Sequence, residues 1–457
     1  MIRIIRFIIL TIFFLIFSNA PPLLAFDYVI NDFKFYPVPN IPRPPKGVPF
    51  TDPNFHTSIV RITDARTEAV GGKYSYAQAG YPKHDIENAD GTKLIIQTYS
   101  DSTWSIWNAN PPYNKIFGIP PTLIGWGRAI DCRWDAVDPN ILYFTMGGKL
   151  YRYDIRTPQQ ATVLHDFKED FPSPEFTGVS MGEEGKPSDD SRYWAFGVGY
   201  HSEKHSPQWW GHAILVYDKD FYGKDKGKVI SMIDERHPNF RYAGFISMSP
   251  SGKYVWIGDA HHVYSRDLSI VRGIKLEPGH AALAYSAEGR EVIFGFALKD
   301  GMWSKGYWAT MADIETGEIT YLAGSVGLAR YHFSGNSYNK PGWGIISTYH
   351  YNQKVGGGPM WNDFEVNMIE LTKRKDPPPR VWRLAKTHTN MKDGYADAPF
   401  AKINKNGTKV WFGSGWGVSY TDPGGQYDVY QINLPSTWYQ DLMGSITKDA
   451  KPQVPLR

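Results

Sequence analysis

Cysteine is all but absent from this 457-residue chain, with Cys132 standing alone. An intrachain disulfide is therefore excluded, as are Cys-rich zinc sites, c-type haem attachment and iron–sulfur ligation. An excess of charge of either sign is lacking too. Lys+Arg number 49 and Asp+Glu 46, for a formal net charge of +3. That balance argues against a nucleic-acid binder, which carries a basic surplus on one face. Long apolar runs are missing after the N-terminus, so no second stretch could span a bilayer, which takes about 20 apolar residues. What the chain does have is turn formers and rings: 44 Gly, 33 Pro, 16 Trp, 29 Tyr and 15% aromatics overall. Gly and Pro break helices and build turns, while aromatics favour strands and sugar-binding surfaces. With 42% hydrophobic residues there is ample material for a core, and a large, turn-rich β protein is expected.

The N-terminus has the layout of a signal peptide. Arg3 and Arg6 precede an apolar run from Phe7 to Phe17, followed by Ser18, Asn19 and Ala20. A basic stretch, a short apolar stretch and small residues make that pattern. Cleavage after Ala25 is expected, the alternative being an uncleaved anchor. The mature chain is then periplasmic or extracellular, without a membrane span. Residues 26–54 hold Pro37, Pro39, Pro42, Pro44, Pro45, Pro49 and Pro53, which predicts an extended strap on the domain surface.

One phrase recurs seven times: a short apolar strand, a polar turn, then a very apolar strand. The copies start at His84, Asp131, Val179, Ile246, Leu283, Tyr331 and Ala401. Asp90-Gly91, Ser251-Gly252, Glu288-Gly289 and Asn406-Gly407 supply hairpin-turn chemistry. An alternating third strand follows each copy, as in AILVYDKD from Ala213, and usually a fourth. The pattern predicts an all-β, seven-bladed β-propeller over 55–435. The last blade shows only three strands, ending near Leu434. The segment TSIVRITDART from Thr57 is a strand without partners. Pairing the two would close the ring and remove two sheet edges. Residues 436–457 are expected to form a cap or tail. A β-sandwich is the competing fold, but seven similar units fit it badly.

Gly178-Val179-Ser180-Met181-Gly182 matches the hydrolase elbow G-x-S-x-G by letter. No strand–turn–helix context surrounds it, so it reads as an inner strand. In a propeller the starts of the inner strands ring the axial mouth. Alignment of the repeats brings His84, Arg128, Thr177, Arg241 or Tyr242, His280, Arg330 with His332, and Asp397 to that ring, with His388 just before the last inner strand. Neutral imidazoles with a carboxylate suit a divalent metal such as Mn, Fe, Ni or Zn, and Ca is a further option. Arginines there would grip a carboxylate-bearing ligand. Insertions after the second strands of blades 3 and 6 carry Trp209, Trp210, Tyr349 and Trp361, rings that could stack on sugars or pack on the rim.

The SPSGK-type turn at Ser249 to Lys253 resembles those of TolB-like propellers and of oligogalacturonate lyases, and ulvan lyases share the architecture. The resemblance covers about 57–435. It implies β-elimination on a uronic-acid polymer, in some members with a histidine-bound metal. On that basis His280, His332 and His388 are expected metal ligands, Arg128 and Arg330 carboxylate clamps, His84 the base and Tyr242 the acid. Trp209, Trp210, Tyr349 and Trp361 are expected to bind substrate, an acidic polysaccharide or oligosaccharide. The competing class is a non-catalytic propeller that binds a protein or glycan partner. A glycoside hydrolase, which needs two converging carboxylates, ranks lower.

Overall fold

The computed structural model describes residues 26–69, 74–98, 104–124, 132–200, 211–241, 244–258, 261–277, 279–298, 307–324, 330–349, 359–392 and 394–443; of Tyr200, Arg330 and Tyr395 it describes the backbone alone. The 1–25 leader, Arg128, Trp209, Trp210 and Tyr242 lie outside the described residues. Among those described, no helix is long and apolar enough to cross a membrane.

Seven antiparallel sheets follow one another along the chain, six of four strands and one of five. Blade 4 shows why these residues make a blade. Its strands are Ile246–Met248, Tyr254–Ile257, His262–Ser265 and Val271–Gly273. The first hairpin turns on Gly252 at φ +70°, a conformation glycine adopts without steric cost. The Gly252 amide donates to the Ser249 carbonyl at 2.8 Å. Glu291 of blade 5 then accepts from both the amide and the hydroxyl of Ser251, each at 2.7 Å. The turn thus fixes the hairpin and ties one blade to the next.

The apolar side chains meet between blades, so the core is distributed. Trp194, Phe196 and Leu215 pack against Ile141 and Tyr143, joining blades 2 and 3. Phe294 and Phe296 pack against Phe333 and Ile346, joining blades 5 and 6. Each of the other blade interfaces has a cluster of the same kind. A strand that is apolar on both faces is buried by both neighbours, which is why Trp343–Tyr349 is buried throughout.

The ring closes as expected. Ser58–Arg61 pairs with Asp428–Asn433 of the last blade, with Ile59 opposite Ile432 and Val60 opposite Gln431. Pro49–Thr51 then adds a fifth strand outside it, so the strap contributes to the sheet as well as lying on it. Asp428 anchors the joint, accepting from Arg61 at 3.0 Å, Thr63 at 2.9 Å and the Ala65 amide at 2.9 Å. Helix Trp438–Met443 caps the closure with Trp438 fully buried. The strap is held by Tyr28, whose ring meets Trp382 edge-on at 5.0 Å and whose hydroxyl donates to Asp441.

Two inner strands depart from the pattern. In blade 1, Gln78 stands opposite Gln97, and the Ile95 amide donates to the Ile86 carbonyl. Residues 79–85 therefore fill a space where Ile96 alone stands opposite. In blade 3, Ser180 faces Gly197 and Ser188 pairs with Tyr193, so residues 181–187 run opposite only 194–196. The extra residues have to leave the sheet. In both blades they loop toward the axis.

Candidate functional site

These two loops build the centre of the molecule. The first carries Tyr81, Lys83, His84 and Asp85, and the second carries Glu183, Glu184 and Lys186. Gly185 is where the second loop passes its neighbours. An added Cβ there would stand 2.1 Å from the Ile246 carbonyl oxygen, so only glycine fits. The Gly185 carbonyl accepts from Arg133 Nε of blade 2 at 3.2 Å. Lys402 of blade 7 pins the first loop by donating to the Ala79 and Tyr81 carbonyls.

Glu184 is the hub. Its Oε1 accepts from the Tyr81 hydroxyl at 2.6 Å and from His280 Nδ1 at 2.8 Å, while Lys83 donates to Oε2. The Tyr81 hydroxyl and His280 Nδ1 are also in contact. Burial would push the Glu184 carboxyl up, but the Lys83 ammonium and the His280 hydrogen bond outweigh it and hold the group at about 2. Glu184 is thus a fixed anion at neutral pH. The Lys83 side chain is 3% exposed, Glu184 14% and His280 33%, so the histidine is the member of the trio most open to solvent. A carboxylate on Nδ1 selects the tautomer with the lone pair on Nε2 and stabilises the imidazolium. This is the arrangement of a general base with its orienting acid.

His332 lies under this trio. Its ring is 4.5 Å from His280, 5.5 Å from Tyr81 and 4.4 Å from Phe400, and it stacks on Tyr349 at 5.5 Å. Burial, then the neighbouring His280 and Lys83, lowers its pKa far below the ordinary imidazole value. Lys83 sits over the Phe245 ring at 3.6 Å. Residues of all seven blades therefore meet around the axis.

The expected site residues fare differently. His280 and His332 come together. His388 does not join them: it stacks on Trp416 at 3.9 Å, and the Trp416 indole donates to Ile41 of the strap. His84 is buried, and its Nε2 accepts from Arg133 Nη2 at 2.7 Å, which engages the lone pair a base would use. Burial and the Arg133 charge lower its pKa far below the ordinary value. Arg330 begins the inner strand of blade 6, opposite Tyr349. Tyr349 and Trp361 are not exposed loop residues. Tyr349 ends a core strand at 1% exposure, and Trp361, 7% exposed, meets Phe33 edge-on and lies beside the Arg383 guanidinium. Neither presents an open face to a sugar. Tyr81, Lys83 and Glu184 were not foreseen. The signal for them was the surplus of residues between strand and turn in AGYPKHDI and MGEEGKP, which set those repeats apart from the compact ISMSPSGK.

The fit of a divalent metal can be judged from the donors. Two imidazoles meet, but the carboxylate that reaches His280 is already paired with an ammonium, and His388 lies elsewhere. Among the described residues no group of three or more His, Cys, Asp or Glu side chains is arranged to hold an ion. A cation at His280 would also meet the charge of Lys83. The described residues do not fit such an ion, and no chemical step is routed through one.

No family model matches the chain, and no curated protein matches it. Solved structures do. An oligogalacturonate lyase from Vibrio parahaemolyticus superposes with a TM-score of 0.56 at 14% identity, over 86% of this chain and 97% of its own. An oligogalacturonate lyase solved in complex with manganese gives 0.56 at 15% identity, over 85% and 96%. At such identities the likeness establishes the fold: this chain is a seven-bladed β-propeller, similar in architecture to those lyases.

Proposed function

We propose that this protein is exported, binds an acidic oligosaccharide at the axial mouth and cleaves it by β-elimination beside a uronate carboxylate. The observation that carries the reading is the Glu184–His280–Tyr81 cluster, in which His280 is one-third exposed to solvent. In this reading His280 Nε2 removes the proton next to the carboxylate, the bond to the leaving oxygen breaks, and a carbon–carbon double bond forms. In this reading the Tyr81 hydroxyl returns a proton to the leaving oxygen, and Glu184 steadies the imidazolium. Charge building on the carboxylate needs a cation at that moment. Lys83 supplies positive potential, and Arg330, two residues before His332 on one strand, is the proposed clamp. Arg128 belongs to the same proposal as a second clamp, and Trp209 and Trp210 as stacking residues.

The test is to incubate the purified mature protein with a panel of uronic-acid polysaccharides, with and without chelator, and follow the ultraviolet absorbance of the unsaturated product. A chelator-resistant rise, abolished in His280→Asn, is expected. A chelator-sensitive rise would move the chemistry to a metal. No rise on any substrate would sink the lyase reading and leave a scaffold that binds a protein or glycan partner.

A further inference from the structure

Beside the Glu184 cluster, sharing Tyr81 with it, lies a small cavity lined by Gln78, Gln97, Trp104, His84, Glu183 and Phe400. Sheet register explains its chemistry. Gln78 stands opposite Gln97, and Gln97 opposite Trp104, across three strands of blade 1. Directly opposed residues project from the same face of a sheet, so two amides and an indole form one row. All three residues are more than nine-tenths buried. The Gln78 amide faces the Tyr427 hydroxyl, but the amide nitrogen of Gln97 and the indole nitrogen of Trp104 have no acceptor within hydrogen-bond range. Buried N–H groups nearly always find a partner, and two neighbours without one point to an acceptor that enters from outside.

The walls say what kind. The donors are neutral, and the side chain at the rim is the exposed Glu183. An anion would meet that carboxylate, and the nearest cations, Arg133 and Lys402, are already bonded to the Gly185, Ala79 and Tyr81 carbonyls. A hydroxyl satisfies both sides, accepting from the Gln97 amide and the Trp104 indole with its two lone pairs and donating to Glu183. A cavity of about 20 Å3 admits one hydroxyl-sized group and no more. We propose that the cavity formed by Gln78, Gln97 and Trp104 is a subsite for a hydroxyl of a neutral sugar residue adjoining the uronate. The substrate would then be a mixed polymer in which a neutral sugar neighbours the uronic acid. This last step rests on the elimination reading, whereas the subsite itself does not.

Binding is measured without turnover, by ligand-observed NMR titration of the mature protein with neutral methyl hexosides. These carry no carboxylate and cannot undergo elimination, so the result stands apart from any lyase assay. Binding is expected, and Gln97→Leu and Trp104→Phe should each weaken it roughly three- to tenfold, the effect of losing one neutral hydrogen bond. Gln97→Leu removes a buried donor that bonds nothing in the protein, so its folding should hold and it decides the matter should Trp104→Phe misfold. Absence of binding would overturn the subsite and leave a cavity that holds water only. Equal binding by wild type and Gln97→Leu would overturn it as well.

Discussion

Two buried ion clusters in this propeller use the same kinds of group to different ends. Under the strap, Glu365 meets Arg383 and, at 2.6 Å, Lys386, with all three side chains at 0% exposure. Arg383 also donates to the Asp32 and Lys34 carbonyls of the strap at 2.8 and 2.7 Å. At the axis, Glu184 meets Lys83, His280 and Tyr81 at the edge of solvent. Burial dominates at Glu365 and raises its pKa despite two cations, whereas Glu184 is held at about 2. The first cluster pins a strap. The second keeps an anion fixed next to a histidine that water can reach. Charge type alone therefore does not mark a site; what separates the two is a titratable partner left partly open.

Arg383→Met tests the structural side most severely. It leaves the Glu365 carboxylate sealed in with one cation fewer, and the unfolding free energy should drop by about 3–5 kcal/mol in chemical denaturation. A loss under about 1 kcal/mol would mean that the strap is not held through this pair. His280→Asn should act the other way round. Turnover on a responsive uronate polymer should fall about 10²–10⁴-fold, with a far smaller shift of the denaturation midpoint than Arg383→Met gives. Equal damage to both would erase the distinction drawn between the clusters.

The pH dependence sharpens it further. His84, His332 and His388 all have folded pKa values below 6.5, burial being the main cause, with His388 near 4. A depressed folded pKa gives stability that is present above the unfolded value and lost as pH falls. Denaturation midpoints should therefore decline below about pH 6.5. A second decline should set in below about 4.5 as Glu184 loses its advantage, running toward 2. Glu184→Gln should weaken the second phase, to which Asp313 and other paired carboxylates also contribute, and leave the first. A variant with the second phase undiminished would place the acid-labile carboxylate elsewhere. The smallest effect is expected at Arg290, 43% exposed and paired with Asp313. Arg290→Met should cost at most about 1 kcal/mol, as open ion pairs do.

The sequence carried the architecture clearly and the site only in outline. His280 and His332 could be placed near the axis because each lies at the head of a regular inner strand. His388 could not, because the chain between it and the Lys402–Ile403 strand includes a 3-10 turn at Gly394–Asp397 that breaks the register. Tyr349 and Trp361 read as loop aromatics because they flank an insertion rich in Gly and polar residues. In the fold one ends a core strand and the other is covered by the strap.

The count of seven blades, the hairpin turns and closure by Ser58–Arg61 were fixed by the sequence itself, since alternation and turn chemistry act over a few residues. Which side chains meet at the centre was decided only by tertiary structure. The loops at 79–85 and 181–187 have no local pattern of their own. Their positions follow from surplus residues leaving two sheets, and their partners come from blades about 100 and 200 residues away in the chain, a distance over which no local periodicity carries information.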